Sequence, residues 1–341
     1  MQVEVGLDAV GLRYEEEAGI AIDAARLGYP RIWTGSIGDP FQSCALRWAE
    51  SRAVGEGIGT AIGVLPVGLR TPADLAQSAA ALSNVTGGHF TLGLGAGNTY
   101  DPAYRRTWGI QERSPLALVR AYLTTIRGFL AGEPVTYHDH GFSYDNARVP
   151  APPIPAPLYL GIAGPEMARL GGELADGVYL SWCTPDNVSW ARAHLTEGAE
   201  RAQRDPAAVQ LAASVRVCVD DDLEVARRAF ARALLPYVVG WGGPAPRPFR
   251  KNFERMGFGP ELSRIDRMQE DGADRDLLIE SFPERMLEAL GYFGPAAGAA
   301  EAVRRQAAGA DIAVVRIVAA GPGLASVGAV LEACRPAAGS G

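Results

Sequence analysis

The residues that could do acid–base chemistry are few, and they follow the ends of predicted strands. Asp39 follows the second predicted strand, and Tyr100 and Asp101 follow the fourth. Carboxyl and phenol groups can donate or accept a proton during a reaction, so Asp39 and Tyr100 are candidate catalytic residues. For Asp39 we favour the alternative of a helix N-cap, because Asp before Pro40 suits that position. For Tyr100 and Asp101 a solvated loop is the open alternative.

The segment 162–167, with the sequence Ile-Ala-Gly-Pro-Glu-Met, is the most informative in the chain. It joins a predicted strand at 157–163 to a predicted helix at 165–175, and Pro165 suits the first helical position. An open helix N-terminus presents backbone N–H groups and the positive end of the helix dipole. The segment therefore predicts a site for an anion such as a phosphate.

Arg216 and Arg316 lie inside predicted strands that read as buried on both faces. A buried charge needs a partner. Three alternatives stay open: a salt bridge in a barrel lumen, an ion pair with surrounding helices, or a clamp on an anionic group of a substrate. Trp108 is a further candidate for the substrate site as a pocket wall, with core packing as its alternative.

The run 93–97, Gly-Leu-Gly-Ala-Gly, is not a dinucleotide-binding fingerprint. Its pattern is GxGxG where that fingerprint needs GxGxxG, and it follows the fourth predicted strand where the first is required. Gly95 and Gly97 could relieve crowding in a strand. The other interpretation, which we favour because of the resemblance described below, is that a flat ring lies against this backbone.

Metal chemistry is not expected from the sequence. The four cysteines are scattered without a CxxC, and the four histidines form no HExxH. We therefore expect no metal site and reduced thiols.

The candidate residues are positioned by a strand–helix alternation that recurs about eight times along the chain. Strands are predicted at 3–9, 31–36, 58–66, 89–97, 157–163, 177–182, 210–219 and 312–319. Helices are predicted at 14–28, 41–54, 72–85, 114–131, 165–175, 185–203, 221–236 and 324–335, with further pieces near 248–257, 259–270, 273–290 and 297–309. Strands without polar alternation are typical of a parallel sheet buried on both faces. We predict an α/β fold, a (β/α)8 TIM barrel, with a doubly wound open sheet as the alternative.

We predict one TIM-barrel domain over residues 1–341, with insertions at about 98–113, 132–156 and 237–296. The insertion at 132–156 reads as a small β-hairpin followed by a proline-rich strap, and that at 237–296 as several short helices. We expect neither of these two to be long or apolar enough to form its own core.

Composition excludes several classes of partner. The hydrophobic fraction of 48% supports a full core, while the net charge of −7 and absence of a basic run disfavour nucleic acid and anionic membranes. The N-terminus lacks the pattern of a signal peptide, and no apolar run approaches transmembrane length. A cytoplasmic protein that acts on a small molecule is expected.

Three runs, in the same order along the chain, resemble the bacterial luciferase-like flavin family. They are Gly63-Val64 with Pro66, Arg70 and Pro72, then residues 87–97, and then Gly164-Pro165-Glu166-Met167 continuing through residues 175–178. Within that family the chain resembles the branch of methylenetetrahydromethanopterin reductase, which uses the deazaflavin F420. The resemblance implies a luciferase-like TIM barrel with F420, or alternatively FMN, as its cofactor.

The same resemblance suggests particular cofactor contacts. Gly63-Val64 matches the position of a non-proline cis peptide that bulges against the back of the isoalloxazine ring. The turn Ala163-Gly164-Pro165 matches the position where backbone amides meet the cofactor phosphate.

Three more residues take roles from the resemblance. Asn98 is placed to hydrogen-bond the ring or the substrate, and Ser181 and Trp182 could line the phosphate and tail side. Two departures stand out. No Asp-His pair occurs at residues 33–39, which puts a sugar-phosphate substrate in doubt. Lys251 is the only lysine, so arginine or backbone must hold a phosphate.

The leading hypothesis is an F420-dependent oxidoreductase that transfers a hydride between C5 of the deazaflavin and an activated C=N, C=C or carbonyl carbon. One alternative is an FMN-dependent monooxygenase that activates O2, and another is a barrel that has lost its cofactor and binds without catalysis. Relatives in the family are often dimers, so a homodimer is expected.

Overall fold

The computed structural model describes residues 1–8, 11–55, 57–139, 141–150, 154–240 and 249–337. The strands in these residues are β1 (Gln2–Gly6), β2 (Arg31–Thr34), β3 (Gly59–Pro66), β4 (Phe90–Gly95), β5 (Val135–Asp139), β6 (Phe142–Ala147), β7 (Leu158–Ile162), β8 (Gly177–Ser181), β9 (Gln210–Val219), β10 (Gly291–Gly294) and β11 (Ile312–Ile317). The helices are α1 (Tyr14–Arg26), α2 (Pro40–Val54), α3 (Pro72–Val85), α4 (Pro102–Trp108), α5 (Pro115–Leu130), α6 (Pro165–Leu174), α7 (Pro185–Arg201), α8 (Leu223–Val239), α9 (Arg250–Arg255), α10 (Gly259–Glu270), α11 (Arg275–Glu280), α12 (Glu284–Leu290), α13 (Ala296–Gln306) and α14 (Leu324–Ala333).

Eight parallel strands close into a barrel, in the order β1-β2-β3-β4-β7-β8-β9-β11 and back to β1. The predicted TIM barrel is therefore confirmed, and the open doubly wound sheet is excluded by the pairing of β1 with β11. All eight predicted barrel strands are present, each within a few residues of its expected bounds. Closure leaves none of these strands as an edge, which suits their apolar composition.

A ninth parallel strand, β10, was not predicted. Strand β9 pairs through its first half with β8, and its last four residues pair with β10 at Arg216–Val219. Four residues with glycine at both ends carry too little pattern to indicate a strand. The pairing matters because it places the segment before residue 296 beside the C-terminal end of β9.

Side chains that face the lumen pack into a compact layer below the C-terminal ends of the strands. Trp33, Tyr159 and Tyr179 form its aromatic part, with ring centroids 5.5 Å apart for Trp33–Tyr159 and 5.1 Å for Trp33–Tyr179. Glu4 is fully buried beneath them and accepts hydrogen bonds from Arg31, at 2.9 Å, and from Trp33 Nε1. This layer closes the bottom of the barrel, so any cavity must lie above it.

Most helices that begin with proline share one start. An Asp, Ser or Thr precedes the proline, and its side-chain oxygen accepts a backbone N–H in the first turn, which explains why these helices begin where they do. The capped helices and their cap residues are α2 with Asp39, α3 with Thr71, α4 with Asp101, α5 with Ser114 and α7 with Thr184. Helix α6 differs, because its N-cap is Gly164 and no side chain caps it.

The predicted insertions are described in large part. In 132–156, strands β5 and β6 form the expected antiparallel hairpin, while residues 151–153 of the strap lie outside the described residues. In 98–113, where a loop was expected, residues 102–108 form helix α4, which Asp101 starts as N-cap. Residues 241–248 of the insertion 237–296 also lie outside the described residues.

The insertion 237–296 buries more apolar side chains than its sequence indicated. It builds a second hydrophobic cluster together with helix α8, in which Phe253, Phe258, Leu262 and Leu287 are at most 2% exposed. The expected single helix at 273–290 is two, α11 and α12, because Pro283 lacks an N–H and disfavours helix at the residue before it. The cluster is shared with a barrel helix, which is compatible with the predicted single domain.

Among the described residues no helix combines the length and the apolarity needed to cross a membrane.

Candidate active site

A cavity of about 1180 Å³ opens above the lumen layer, at the C-terminal ends of the barrel strands. This end carries the active site in TIM barrels. The cavity is lined by most of the residues that the sequence predicted: Asp39, Gly63, Val64, Gly95, Gly97, Asn98, Tyr100, Trp108, Ala163, Gly164, Pro165, Ser181, Arg216 and Arg316. Candidate residues that lie far apart in the sequence are thus brought together at one site.

One wall of the cavity is made of backbone. Gly63 on β3, Gly95 on β4 and Gly161 on β7 line it, and none of them carries a side chain to fill the space. The Gly63–Val64 peptide bond is cis, as the resemblance implied. The register between β3 and β4 shifts between Ile62 and Leu65, so the chain bulges toward the lumen here. A flat surface of this kind suits an aromatic ring system.

Glycines on β4 and β7 leave room for the neighbouring chain of β3. A Cβ at Gly95 would lie 2.7 Å from Val64 Cγ2, one at Gly161 2.8 Å from the same atom, and one at Gly93 2.2 Å from the carbonyl oxygen of Ile62. These positions therefore need glycine to accommodate the bulge at Val64. The prediction that Gly95 relieves crowding is confirmed. A ring on this wall would contact Val64 and not Gly95 directly, because the Val64 side chain packs against Gly95.

The uncapped start of helix α6 forms a second part of the lining. Gly164, Pro165, Glu166 and Met167 all line the cavity, and the Gly164 N-cap position has open space where a side chain would project. With no side chain capping the helix, the first-turn N–H groups after Pro165 remain available to an anion. The geometry fits a phosphate.

Two cations that sequence reasoning did not place stand near this helix start. Arg255 donates a hydrogen bond to the carbonyl oxygen of Ala163, and its guanidinium lies 5.6 Å from the ring centroid of Trp190. Lys251, the only lysine of the chain, also lines the cavity. Both come from helix α9 in the insertion 237–296. The single lysine in the sequence indicated that arginine or backbone must hold a phosphate, but it did not indicate which arginine.

Asn98 and Tyr100 form a hydrogen-bonded pair at the cavity rim. The Tyr100 hydroxyl donates to Asn98 Oδ1 over 2.9 Å. Burial, with Asp101 and Tyr104 nearby, raises the pKa of Tyr100 well above its ordinary value. The phenol therefore stays protonated at neutral pH and is a weaker acid than a free tyrosine. Asp101 caps helix α4 instead of facing the site.

Asp39 lines the cavity with both carboxylate oxygens engaged. Oδ1 accepts the Phe41 N–H at 3.0 Å as the cap of helix α2, and Oδ2 accepts from Arg70 at 2.7 Å. The N-cap interpretation is confirmed. Asp39 holds Arg70 at the cavity edge. Because both of its carboxylate oxygens are engaged, the structure does not support the prediction that Asp39 is a catalytic acid or base.

Arg216 and Arg316 stand side by side on the opposite wall. They are register partners on the parallel strands β9 and β11, so both side chains enter the lumen from the same level. Arg316 pairs with Asp8, which confirms the lumen salt bridge for this residue. Burial opposes the charge of each partner, yet their mutual attraction prevails: the pKa of Asp8 is lowered and that of Arg316 is raised.

Arg216 has a different environment. Its Nη1 donates to Ser181 Oγ at 3.0 Å, and its guanidinium lies 3.6 Å from the ring centroid of Trp182. Burial lowers the pKa of Arg216, and the like charge of Arg316 adds to this effect, while the contacts with Tyr237 and Tyr179 do not offset it. Neither the salt-bridge nor the outer-helix alternative applies to Arg216 within the described residues.

Trp182 is placed differently from the prediction. Its side chain is fully buried in the second hydrophobic cluster, where it contacts Phe230 and Tyr237 edge-on, and it does not line the cavity. The expected cofactor contact is therefore corrected to a support beneath Arg216. Trp108 does line the cavity, but its side chain is 54% exposed at the mouth, which removes core packing as its explanation.

The remaining reactive groups lie away from this site. All four cysteines are buried and free, and burial raises the pKa of each thiol to about 12, so none is a thiolate at neutral pH. Within the described ranges no three His, Cys, Asp or Glu residues are grouped as metal ligands.

Comparison with known proteins identifies the family. The family model described as luciferase-like monooxygenase matches residues 2–311. The chain belongs to this luciferase-like family. The resemblance stated from the sequence is therefore confirmed at the level of the family and its fold.

Two curated relatives of this luciferase-like chain are a methylenetetrahydromethanopterin reductase and an F420-dependent dehydrogenase by name. It is 34% identical over 177 residues to the 5,10-methylenetetrahydromethanopterin reductase of Methanolobus tindarius, covering 51% of this chain and 52% of that protein. It is 28% identical over 217 residues to an F420-dependent hydroxymycolic acid dehydrogenase of Mycobacterium tuberculosis, covering 60% and 59%. The chain thus spans between half and two thirds of these relatives.

Solved structures agree on the luciferase-like fold. The coenzyme F420 dependent tetrahydromethanopterin reductase of Methanopyrus kandleri superposes with a TM-score of 0.77 at 22% identity, covering 98% of both chains. The oxygenating constituent of 3,6-diketocamphane monooxygenase of Pseudomonas putida, solved with FMN, superposes with a TM-score of 0.64 at 17% identity, covering 98% of this chain and 97% of that one. At these identities the likeness shows the fold alone.

Proposed function

We propose that this protein is an F420-dependent oxidoreductase that transfers a hydride between C5 of the deazaflavin and an activated C=N, C=C or carbonyl carbon of a small molecule. The observation that carries the proposal is one cavity with two matched features. The wall at Gly63–Val64, where the Val64 side chain packs against Gly95 and Gly161, offers a surface for a flat ring, and the uncapped start of helix α6 offers N–H groups for a phosphate. The name of the Mycobacterium tuberculosis relative, an F420-dependent dehydrogenase, supports the choice of F420.

When bound, the deazaflavin supplies the hydride chemistry; the residues of the chain bind and orient the reactants. The side chain of Val64 and the backbone around Gly161 would support one face of the ring. The amides of Glu166 and Met167 would bind the phosphate, with Arg255 adding positive charge nearby. Lys251, at the same side of the cavity, suits an anionic tail.

The residues of the rim would handle the proton. Reduction of a C=N or C=O carbon leaves a heteroatom that must receive a proton, and Tyr100, whose phenol lines the cavity, would donate it once the hydroxyl turns from Asn98 Oδ1 to the substrate. Asn98 accepts the Tyr100 hydrogen bond and so orients that phenol. Apolar side chains such as Leu69, Leu116 and Met167 line much of the remaining cavity and would limit water near the reacting atoms.

An FMN-dependent monooxygenase is the second candidate, favoured by the description of the family and by the FMN-bound neighbour. A fluorescence titration of the purified protein with F420 and, separately, with FMN decides between them. Tight binding of F420 with weak binding of FMN supports the proposal. The reverse preference supports the monooxygenase, and binding of neither leaves a barrel that has lost its cofactor.

A substitution at the helix start tests the site within the same titration. Gly164→Asp would place an acceptor at the open N-cap position and a negative charge where the phosphate is expected. We expect the affinity for F420 to fall about tenfold or more, while helix α6 gains about 0.5–1 kcal/mol from the new cap. Gly259→Asp, at the start of helix α10 and away from the cavity lining, is the matched control. Equal losses in both variants would contradict this phosphate site.

A further inference from the structure

Two like charges face the same cavity from neighbouring positions. Arg216 and Arg316 are direct register partners on β9 and β11, and both line the cavity. Like charges directly opposite on adjacent strands repel each other, and burial strengthens the repulsion because screening by water is lost. An arrangement of this kind is stable only where negative charge compensates it.

The chain supplies negative charge for one of the two arginines. Asp8 pairs with Arg316. The described part of the chain places no carboxylate within ion-pair distance of Arg216, which is 6% exposed and contacts the Ser181 hydroxyl and the Trp182 ring. Tyr237, whose ring centroid is 5.5 Å from the guanidinium, is hydrogen-bonded to Arg216 and likewise adds no carboxylate. The cluster therefore carries a net charge of about +1 when its groups hold their ordinary charges.

We propose that Arg216, with Arg316 beside it, binds the carboxylate of a substrate that is otherwise apolar. This inference rests on the proposed function, because it assigns the anion to the molecule that faces the cofactor. In the closed barrel, β9 lies opposite β3 and β11 lies opposite β4. The arginines thus stand across the lumen from the backbone wall at Gly63–Val64, where the ring is proposed to bind, and a ligand between the two walls would meet both.

The chemistry of the cluster favours a single negative charge. Two guanidinium groups and one carboxylate leave one charge to balance, which suits a carboxylate better than a phosphate dianion. Guanidinium and carboxylate also match in plane and spacing for two parallel hydrogen bonds. The lining of the same cavity includes Ile37, Leu69 and Met167, which suits an apolar body attached to that carboxylate.

The test is a comparison of carboxylates with their neutral amides, with and without bound F420. Benzoate, phenylacetate and 3-phenylpropionate, each beside its primary amide, are titrated by calorimetry into the full chain. We expect at least one acid to bind about tenfold or more tighter than its amide, since a charge-assisted hydrogen bond contributes about 1.5–3 kcal/mol. Phenyl phosphate forms a separate arm, and tighter binding of that dianion than of every carboxylate would overturn the monoanion assignment.

Arg216→Gln is the decisive variant. We expect it to abolish the preference for acid over amide while the affinity for F420 stays within about twofold, as for independent sites. Arg228→Gln, which removes an exposed arginine paired with Glu280 on the outer surface, has the same change in charge and should preserve the preference. Arg216→Lys keeps the charge but loses the planar fork, so it should retain only part of the preference, and it serves if the Gln variant fails to fold.

Two results would overturn the inference. Equal binding of acids and amides by the unaltered protein would show that Arg216 is a structural cation held by Trp182. Loss of F420 binding in Arg216→Gln, with the acid preference retained, would assign the arginine to the cofactor. Failure of the unaltered protein to bind F420 would refute the proposed function alone, because the acid–amide comparison is also made without cofactor.

Discussion

At the scale of single residues, the site is organised by which polar groups are already engaged. Asp39, the carboxylate most easily taken for a catalytic base, has its two oxygens occupied by a helix N–H and by Arg70. Tyr100, one of two neighbouring candidates in a loop, has an environment that keeps its proton in place. The chemical identity of a side chain thus says less than the partners that the fold gives it.

Tyr100→Phe tests the proton donor. With a substrate found by screening imines, enones and ketones, we expect kcat to fall about 100-fold, within the range for general acid catalysis. Affinity for F420 should change little, because only the hydroxyl is removed. Tyr14→Phe, which alters an exposed tyrosine bonded to Glu50, is the control. An unchanged kcat in Tyr100→Phe would transfer the role to water.

Asp8→Asn tests the charge balance of the arginine wall. Removing this carboxylate leaves Arg316 without its partner beside the like charge of Arg216, so the free energy of unfolding should fall by about 1–3 kcal/mol, a value reduced because Asp8 is partly exposed. Asp23→Asn removes a surface pair with Arg26 at 3.8 Å and should cost almost nothing. Urea denaturation of both variants makes the comparison; equal effects would contradict a special role for Asp8.

The pH dependence of the same variant has a defined sign. The pKa of Asp8 is lowered in the folded protein, since Arg316 outweighs the opposing effect of burial. Its contribution to stability is therefore present above the ordinary aspartate pKa of about 3.9 and is lost as the pH falls through the lowered value. The stability gap between the unaltered protein and Asp8→Asn should be constant from about pH 5 to 8 and shrink below about pH 4.

At the scale of elements, glycines on two strands leave room for a side chain on a third strand. Val64 on β3 fills the space that a Cβ would need at Gly95 on β4 and at Gly161 on β7. Helix starts show a similar division. Five helices begin with a side-chain cap before proline, whereas α6 begins with Gly164 and leaves its amides to the cavity. One changed residue in a repeated local pattern leaves the start of helix α6 without a side-chain cap, and the proposed phosphate site depends on that difference.

Gly161→Ala tests the matching of β7 with β3. Its Cβ would lie 2.8 Å from Val64 Cγ2, so we expect the free energy of unfolding to fall by about 1–3 kcal/mol from overpacking. Adding Val64→Ala should recover part of the loss, which a double-mutant cycle measures as coupling. Gly19→Ala, in open space on helix α1, should be neutral or stabilising. Strictly additive losses at 161 and 64 would contradict the proposed contact.

At the scale of the whole molecule, the barrel and the insertion 237–296 share the work of the site. The barrel provides the backbone wall and the arginines, while the insertion provides Lys251, Arg255 and the cluster that buries Trp182. Because the second hydrophobic cluster includes helix α8 of the barrel, the two parts should unfold together. In physical terms, the predicted single domain means that the barrel and the insertion unfold in one cooperative transition.

Leu262→Ala tests that cooperativity. Leu262 is fully buried on helix α10, and its truncation should lower the free energy of unfolding by about 2–5 kcal/mol. We expect one calorimetric transition, shifted as a whole and not split. A separate early transition, with the barrel transition unchanged, would mean that the insertion is its own folding unit.

The sequence alone determined the repeated strand–helix order, because eight apolar units have a short-range periodicity, and it favoured the barrel; the pairing of β1 with β11 then excluded the open sheet. It also placed most of the cavity lining, since in a parallel barrel the residue after each strand must lie at one end. Short elements escaped it: β10 has four residues, and α4 depends on the cap at Asp101.

Only the tertiary structure decided which neighbours each candidate has. Strand register set Arg216 beside Arg316, the fold brought Asp8 to one arginine and not the other, and the path of the insertion brought Arg255 to Ala163. It also turned Trp182 from an expected cofactor contact into a support for Arg216. Such pairings join residues far apart in the chain, and their energies depend on distance and burial, which local sequence patterns do not encode.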